Sequence, residues 1–183
     1  MFFVTFRLKH SLPYEIVEAL QASQGALDEQ RYFERWEEDL DKAEFGPRWL
    51  SQPEIADVVK EALQYRDGKV FALHAFSILP NHVHVVFEPV SKSGWQPDLP
   101  NTSDYQSDLL DLPKIMQSLK RHTARQANKI LGREGAFWQD ESYDRVIRDS
   151  DEYTRTVSYV LENPVKAGLV SRWEDWKWTY CKK

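Results

Sequence analysis

The sequence predicts an α+β fold, an antiparallel sheet with helices packed against it. Two observations carry that expectation. Segments rich in Phe, Val and Thr alternate with segments of helical periodicity in the order strand, helices, strand, strand, helix, strand, helix. The runs 69–79 and 82–90 are joined so tightly around Pro80 and Asn81 that they must be antiparallel neighbours, since a parallel crossover needs a longer connection.

Taken in order, "FFVTFRL" (2–8) reads as the first strand. "SLP" then opens a helix, with Ser11 as cap and Pro13 in the first turn. Residues 14–40 read as helix broken around Gly25, followed by a turn at "FGPRW". The next helix has Ser51 as cap, Pro53 in its first turn and Gly68 as its stop, with Ile55, Val58, Val59 and Leu63 on the buried face. Residues 91–111 mix Ser, Pro, Asp, Gly and Asn without periodicity and read as a long loop. A helix follows over 112–132, burying Leu112, Ile115, Leu119 and Ile130. Residues 136–148 read as a strand and 150–163 as a helix ended by Pro164. The tail "SRWEDWKWTYCKK" carries three tryptophans and packs back onto a single domain spanning 1–183.

The length of 183 residues allows one domain with a sizeable core, and 42% hydrophobic with 13% aromatic residues argues against disorder. A lone cysteine, Cys181, excludes a disulfide framework and a thiolate metal cluster, which fits a reducing, cytoplasmic setting. No apolar run approaches membrane-spanning length, and "MFFVTFRLKH" is unlike a signal peptide, so no membrane partner is expected. Net charge is −5, which by itself disfavours a nucleic-acid partner. The charge is uneven, however. Residues 28–45 hold eight acids against three bases, whereas 113–133 hold six bases and no acid.

Within "LPNHVHVVF", His82 and His84 are two apart on a strand and therefore share a face. Their centres, roughly 6–7 Å apart, allow convergence on one metal ion; the alternative is two core histidines satisfied by hydrogen bonds. His74 on the neighbouring strand reads either as a third ligand or as a core residue. On the last helix Tyr153, Val157, Val160 and Pro164 form an apolar stripe, so Tyr153 reads as packing. Tyr159 lies off that stripe among Arg155, Thr156, Glu162, Asn163 and Lys166, groups suited to phosphate or metal. Asn163 offers a carbonyl oxygen one turn beyond Tyr159, with Glu162 as a charged rival.

Assembled, these pieces resemble a REP-associated tyrosine transposase, within the HUH single-tyrosine transposase superfamily. The resemblance runs through "FFVTFRLKHSLP", "HAFSILPNHVHVVFEP", "LKRHTARQANKILGREGAFWQDESYDRVIRD" and "YTRTVSYVLENPVKAGLVSRWEDWKWT". It implies a ferredoxin-like sheet with the tyrosine on a helix beside it. It further implies His82 and His84 as metal ligands, Asn163 as the third, and Tyr159 as a nucleophile that cleaves single-stranded DNA through a 5′-phosphotyrosine. The loop 91–111 is longer than the family's usual one, and segments outside 1–183 that help read DNA are expected to be missing. Two imidazoles and an amide oxygen suit Mg2+ or Mn2+.

The partner so implied is single-stranded DNA with hairpin-forming repeats, met by a monomer or homodimer that is nucleoid-associated when bound. Candidate phosphate contacts are Lys120 with the stripe Arg121, Arg125 and Lys129, and also Arg145 and Arg148. Such a stripe is more often a solvated face than a binding surface, although the absence of acids across 113–133 favours binding here. Two other classes stay open: a non-catalytic nucleic-acid-binding protein on the same fold, and a metal-dependent hydrolase using activated water.

Overall fold

The computed structural model describes residues 1–13, 15–18, 40, 45–90 and 112–182. Five strands form one antiparallel sheet: β1 (Phe2–Arg7), β2 (Phe71–Ile78), β3 (His82–Pro89), β4 (Tyr143–Val146) and β5 (Thr179–Cys181). Their spatial order is β4-β1-β3-β2-β5. The first four strands and their order are those of a ferredoxin-like sheet, with β5 added outside β2. The helices are α1 (Pro53–Arg66), α2 (Leu112–Leu131) and α3 (Ser150–Lys166).

Alternation along the two central strands divides the core in two. Val4 and Phe6 of β1, with Val83, Val85 and Phe87 of β3, face α1 and α2, which contribute Ile55, Val59, Leu63, Ile115 and Leu119. Phe3 and Val86 face the other way, where Val160 of α3 joins Ala75 and Ile147. Helices therefore cover both sides of the sheet, α1 and α2 on one, α3 on the other.

Several elements depart from the sequence expectation. Ser51 closes a 3-10 turn (Trp49–Ser51), and the residue before α1 is Gln52, whose side chain makes no capping bond. Val58 and Leu112 are only half-buried, and Ile130 is 49% exposed. Ser11 is buried with its hydroxyl accepting from the Arg7 guanidinium at 3.3 Å. The strand expected over 136–148 is confined to Tyr143–Val146; Trp138 makes one isolated bridge to Leu8, and its indole N–H donates to Thr123 on α2 at 2.8 Å.

Pro164 does not stop α3. Proline cannot donate to the carbonyl one turn back, yet Ala167 N–H donates to Asn163 at 2.9 Å and Leu169 N–H to Pro164 at 2.9 Å. The helix continues to Lys166, and Gly168 at φ +67° turns the chain away. The expected helix over 14–40, apart from 15–18 and Leu40, and the loop 91–111 lie outside the described residues.

The tail packs back as expected, and more firmly than tryptophan content alone implies. Its last residues form β5 against β2, with Ser77 opposite Thr179. Trp176 Nε1 donates to the Ile78 carbonyl at 2.9 Å and Trp178 Nε1 to Asp57 of α1 at 2.9 Å.

Candidate active site

His82 and His84 open β3 on the face that α3 covers, and both are fully buried. Their Nε2 atoms face each other at 3.0 Å, with ring centroids 4.6 Å apart and planes at 76°. This is closer than the strand spacing alone implies, because the rings lean together.

The outer ring nitrogens are held by neighbours. Asn81 Nδ2 donates to the Leu40 carbonyl at 3.0 Å, which leaves Asn81 Oδ1 as an acceptor. His82 Nδ1 lies 2.7 Å from that oxygen and must therefore carry the proton, so its Nε2 presents a lone pair. His84 Nδ1 is paired with Thr5 Oγ1 at 2.8 Å, since β1 sets Thr5 directly opposite His84. Burial, and after it the charge of Lys166, pushes the His84 pKa down to about 3, so the ring is neutral at physiological pH.

α3 brings the tyrosine to the pair. Asp149 caps the helix by accepting from Glu152 N–H at 2.7 Å, and Glu152 in return accepts from Arg148 N–H at 2.9 Å. Val160, Leu161 and Pro164 are buried and fix the rotation of the helix. Tyr159 is thereby set edge-on to His84, ring centroids 5.6 Å apart, and edge-on to Phe3 at 6.0 Å. One turn on, Asn163 is fully buried and its Nδ2 donates to the Tyr159 hydroxyl at 3.2 Å. Its Oδ1 is buried without a hydrogen-bond partner among the described residues. Lys166 places its ammonium 4.6 Å from the centre of the Tyr159 ring.

This donor set fits a small divalent cation. Two ligands at right angles, each about 2.1 Å from one ion, lie about 3 Å apart, which is the separation of the two Nε2 atoms. A buried amide oxygen lacking a donor is costly unless a cation or a water supplies what is missing, and Asn163 Oδ1 is such an oxygen. No group of three His, Cys, Asp or Glu suited to a metal occurs among the described residues, and Glu162 is exposed. His74 is engaged elsewhere, its Nδ1 paired with the Tyr153 hydroxyl at 3.2 Å.

The sequence-derived DNA contacts do not gather around Tyr159. Lys120 turns inward, its ammonium donating to the carbonyls of Gln139 (3.0 Å), Asp140 (3.0 Å) and Glu141 (3.3 Å). Arg121, Arg125 and Lys129 are exposed on α2, in the helix layer across the sheet from the histidines. Arg145 is nearer: it donates to Thr156 of α3 at 3.2 Å, while its Nε stands 3.5 Å from Glu152 without hydrogen-bond alignment. Arg148 is exposed just before α3. The residues that sequence reasoning missed are Thr5 and Asn81. Thr5 is a lone hydroxyl in an otherwise apolar run, a faint signal, but only the β1–β3 register assigns it to His84.

A paired-imidazole centre beside a helix-borne tyrosine, on a ferredoxin-like sheet, is the arrangement that the resemblance implies for a single-tyrosine transposase. Curated proteins similar in sequence carry that name. The chain is 29% identical over 112 residues to a protein of Haemophilus influenzae provisionally named a REP-associated tyrosine transposase, covering 60% of this chain and 58% of that one. It is 25% identical over 114 residues to the REP-associated tyrosine transposase of Escherichia coli, covering 62% of this chain and 56% of that one. The match thus spans less than two thirds of either relative. A solved structure of a REP-associated tyrosine transposase bound to a REP hairpin aligns over 97% of this chain and 74% of its own, with 19% identity and a TM-score of 0.48. No family model matches.

Proposed function

We propose that the chain is a metal-dependent endonuclease and strand transferase for single-stranded DNA, acting at hairpin-forming repeats; its curated relatives are named REP-associated tyrosine transposases. The observation that supports this reading best is the contact of Tyr159 with Asn163 at 3.2 Å, beside a buried His82–His84 pair. A packing tyrosine has no use for two inward-facing imidazole nitrogens and an unpartnered amide oxygen next to it.

In this reading the Tyr159 oxygen attacks the scissile phosphorus, and the bond from phosphorus to the 3′ oxygen breaks. The departing 3′ oxygen takes up a proton and leaves as a hydroxyl. The proton of Tyr159 passes to water, and the 5′ phosphate remains on the tyrosine, ready for rejoining. A phenol with an ordinary pKa of about 10 is a weak nucleophile at neutral pH. Positive charge near the reacting atoms is therefore needed, and Lys166 is the side chain placed to supply part of it. His82, His84 and Asn163 would hold Mg2+ or Mn2+, which when bound polarises the phosphate and offsets developing charge. Asn163 also orients the Tyr159 hydroxyl through its amide hydrogen. Arg145, fixed by Thr156, is placed to meet a flanking phosphate.

The test compares wild type with Tyr159→Phe on single-stranded hairpin DNA with Mn2+, with and without chelator. A covalent protein–DNA adduct formed by the wild type alone, and lost with chelator, is the expected result. Equal cleavage by both proteins without an adduct would point instead to a hydrolase using activated water. Binding without cleavage by either would point to a non-catalytic DNA-binding protein.

A further inference from the structure

His74 and Tyr153 have no part in the reaction proposed above, yet they meet where α3 crosses β2. His74 Nδ1 lies 3.2 Å from the Tyr153 hydroxyl, with the rings edge-on at 81° and centroids 5.5 Å apart. A bulge in β2 aims the imidazole there. Leu73 pairs with Phe87 and Ala75 with Val86, so His74 is an extra residue between them. Leu73 packs in the core under α1 and α2, whereas Ala75 packs under α3, a change of face that strict alternation does not allow. The tail holds the bulge from outside, Lys182 N–H donating to the His74 carbonyl at 2.8 Å.

The His74 side chain is half-buried, but its Nε2 is buried and has no hydrogen-bond partner among the described residues. A proton gained there makes an N–H without an acceptor on a charged, poorly hydrated ring. Burial, then the charge of Lys182, accordingly holds His74 below its ordinary value of 6.5. Glu88 and Asp67 pull the other way, and the ammonium of residue 1 adds to the lowering. Burial, then the charge of Cys181, raises the Tyr153 phenol. At neutral pH the contact therefore joins a neutral ring to a neutral hydroxyl.

The position of this contact gives it leverage over the site. Arg145 of β4 donates to Thr156 of α3 at 3.2 Å. β4 and β2 flank the central pair β1 and β3, so α3 is fastened on both sides of the strands that carry Phe3 and His84. Tyr159 lies six residues beyond Tyr153, about 9 Å along the axis. A tilt of the first turns therefore moves the Tyr159 hydroxyl relative to the histidine pair. We infer that His74 and Tyr153 are a positioning pair, which fastens the helix of Tyr159 to β2 and lets go when the imidazole takes up a proton. A charged ring has to turn its Nε2–H toward water, and that turn withdraws Nδ1 from the hydroxyl. The inference rests on the function proposed above for what the helix delivers.

The experiment follows single-turnover adduct formation between about pH 4.5 and 8, at saturating Mn2+ and hairpin DNA. It compares wild type with Tyr153→Phe and His74→Gln, whose folds are checked by circular dichroism. Glutamine can still bond the Tyr153 hydroxyl but does not titrate. The wild type is expected to lose rate below pH 6.5, with a midpoint that matches the titration of His74 followed by NMR. Tyr153→Phe is expected to be slower by about tenfold or more at neutral pH, with its affinities for DNA and Mn2+ unchanged. His74→Gln should match the wild type at neutral pH and keep its rate where the wild type has lost it. A wild-type rate in Tyr153→Phe would overturn the inference. So would the same acid fall in His74→Gln, since that fall then belongs to other groups. Amide hydrogen exchange, read without DNA or metal, is the second measurement. Exchange along α3 should quicken in Tyr153→Phe at neutral pH, and in acid for the wild type but not for His74→Gln; an unchanged α3 would equally overturn the inference. If the wild type forms no adduct at any pH, the function proposed above fails, and exchange still decides whether the pair fastens the helix.

Discussion

Each imidazole of the candidate centre is fixed from behind, His82 by Asn81 and His84 by Thr5. Groups in that position set which nitrogen carries the proton and how the ring is aimed, and their loss commonly costs 10–100-fold in metal affinity. Thr5→Val keeps shape and β-propensity while removing the hydroxyl. It is expected to leave the fold intact and to weaken Mn2+ binding about tenfold or more, as measured by titration calorimetry. An unaltered Mn2+ affinity would remove Thr5 from the centre. The histidine pair was legible from its spacing of two, and Tyr159 from its place off the apolar stripe. What supports them was not. Thr5 is 79 residues from His84, and nothing local announces that β1 and β3 are neighbours in that register.

At the scale of elements, α3 carries the tyrosine and depends on its first turn for its position. Asp149 and Glu152 satisfy backbone donors that would otherwise be unpaired at the helix start. Asp149→Ala is therefore expected to cost about 1 kcal/mol in denaturant unfolding and to loosen the segment that aims Tyr159. The acids in this first turn made the start of α3 readable in advance. Its end lies beyond the position that Pro164 suggests, because the carbonyls of Asn163 and Pro164 find donors in Ala167 and Leu169. β4 was over-extended for a related reason. Residues such as Phe137 and Trp138 have the composition of a strand, yet they serve as a buried aromatic plug, with Trp138 edge-on to Phe6 at 4.8 Å. β5 was not foreseen, because three residues carry too little pattern to announce a strand.

For the molecule as a whole, the tail ties the two ends of the sheet's packing together. It joins β5 to the edge of β2 and reaches α1 through Asp57, which accepts from Lys177 Nζ at 2.9 Å and Trp178 Nε1 at 2.9 Å. The hydrogen bond from Lys177, then that from Trp178, holds the Asp57 carboxyl below its ordinary value of 3.8. A carboxyl whose pKa is lower folded than unfolded contributes its stability above the unfolded value and loses it as pH falls through the folded one. The Asp57 clamp is thus complete at neutral pH and fades below about pH 4. The site is partly exposed, so the contribution is under about 1 kcal/mol. Asp57→Asn should lower stability slightly at pH 7 and flatten the acid dependence, with tryptophan fluorescence reporting release of Trp178. The α+β class and the antiparallel hairpin were legible because short strands and capped helices leave local marks. The placement of the histidine pair and Tyr159 on one side of the sheet and of the basic stripe on the other was not, since it follows from which side of the sheet each helix crosses.

The turn between β2 and β3 joins more than two strands. Asn81 binds the Leu40 carbonyl with its amide hydrogen and takes the His82 proton on its oxygen, while its own carbonyl accepts from Leu8 N–H at 2.8 Å. The tautomer of His82 is thus specified by backbone 42 residues away in sequence, relayed through one side-chain amide. If Leu40 withdrew, that amide would lose the contact that tells its oxygen from its nitrogen, and the imidazole could turn its proton inward. The candidate centre is in this sense keyed: the proton pattern of its first imidazole is conditional on the seating of Leu40, a residue distant in the chain.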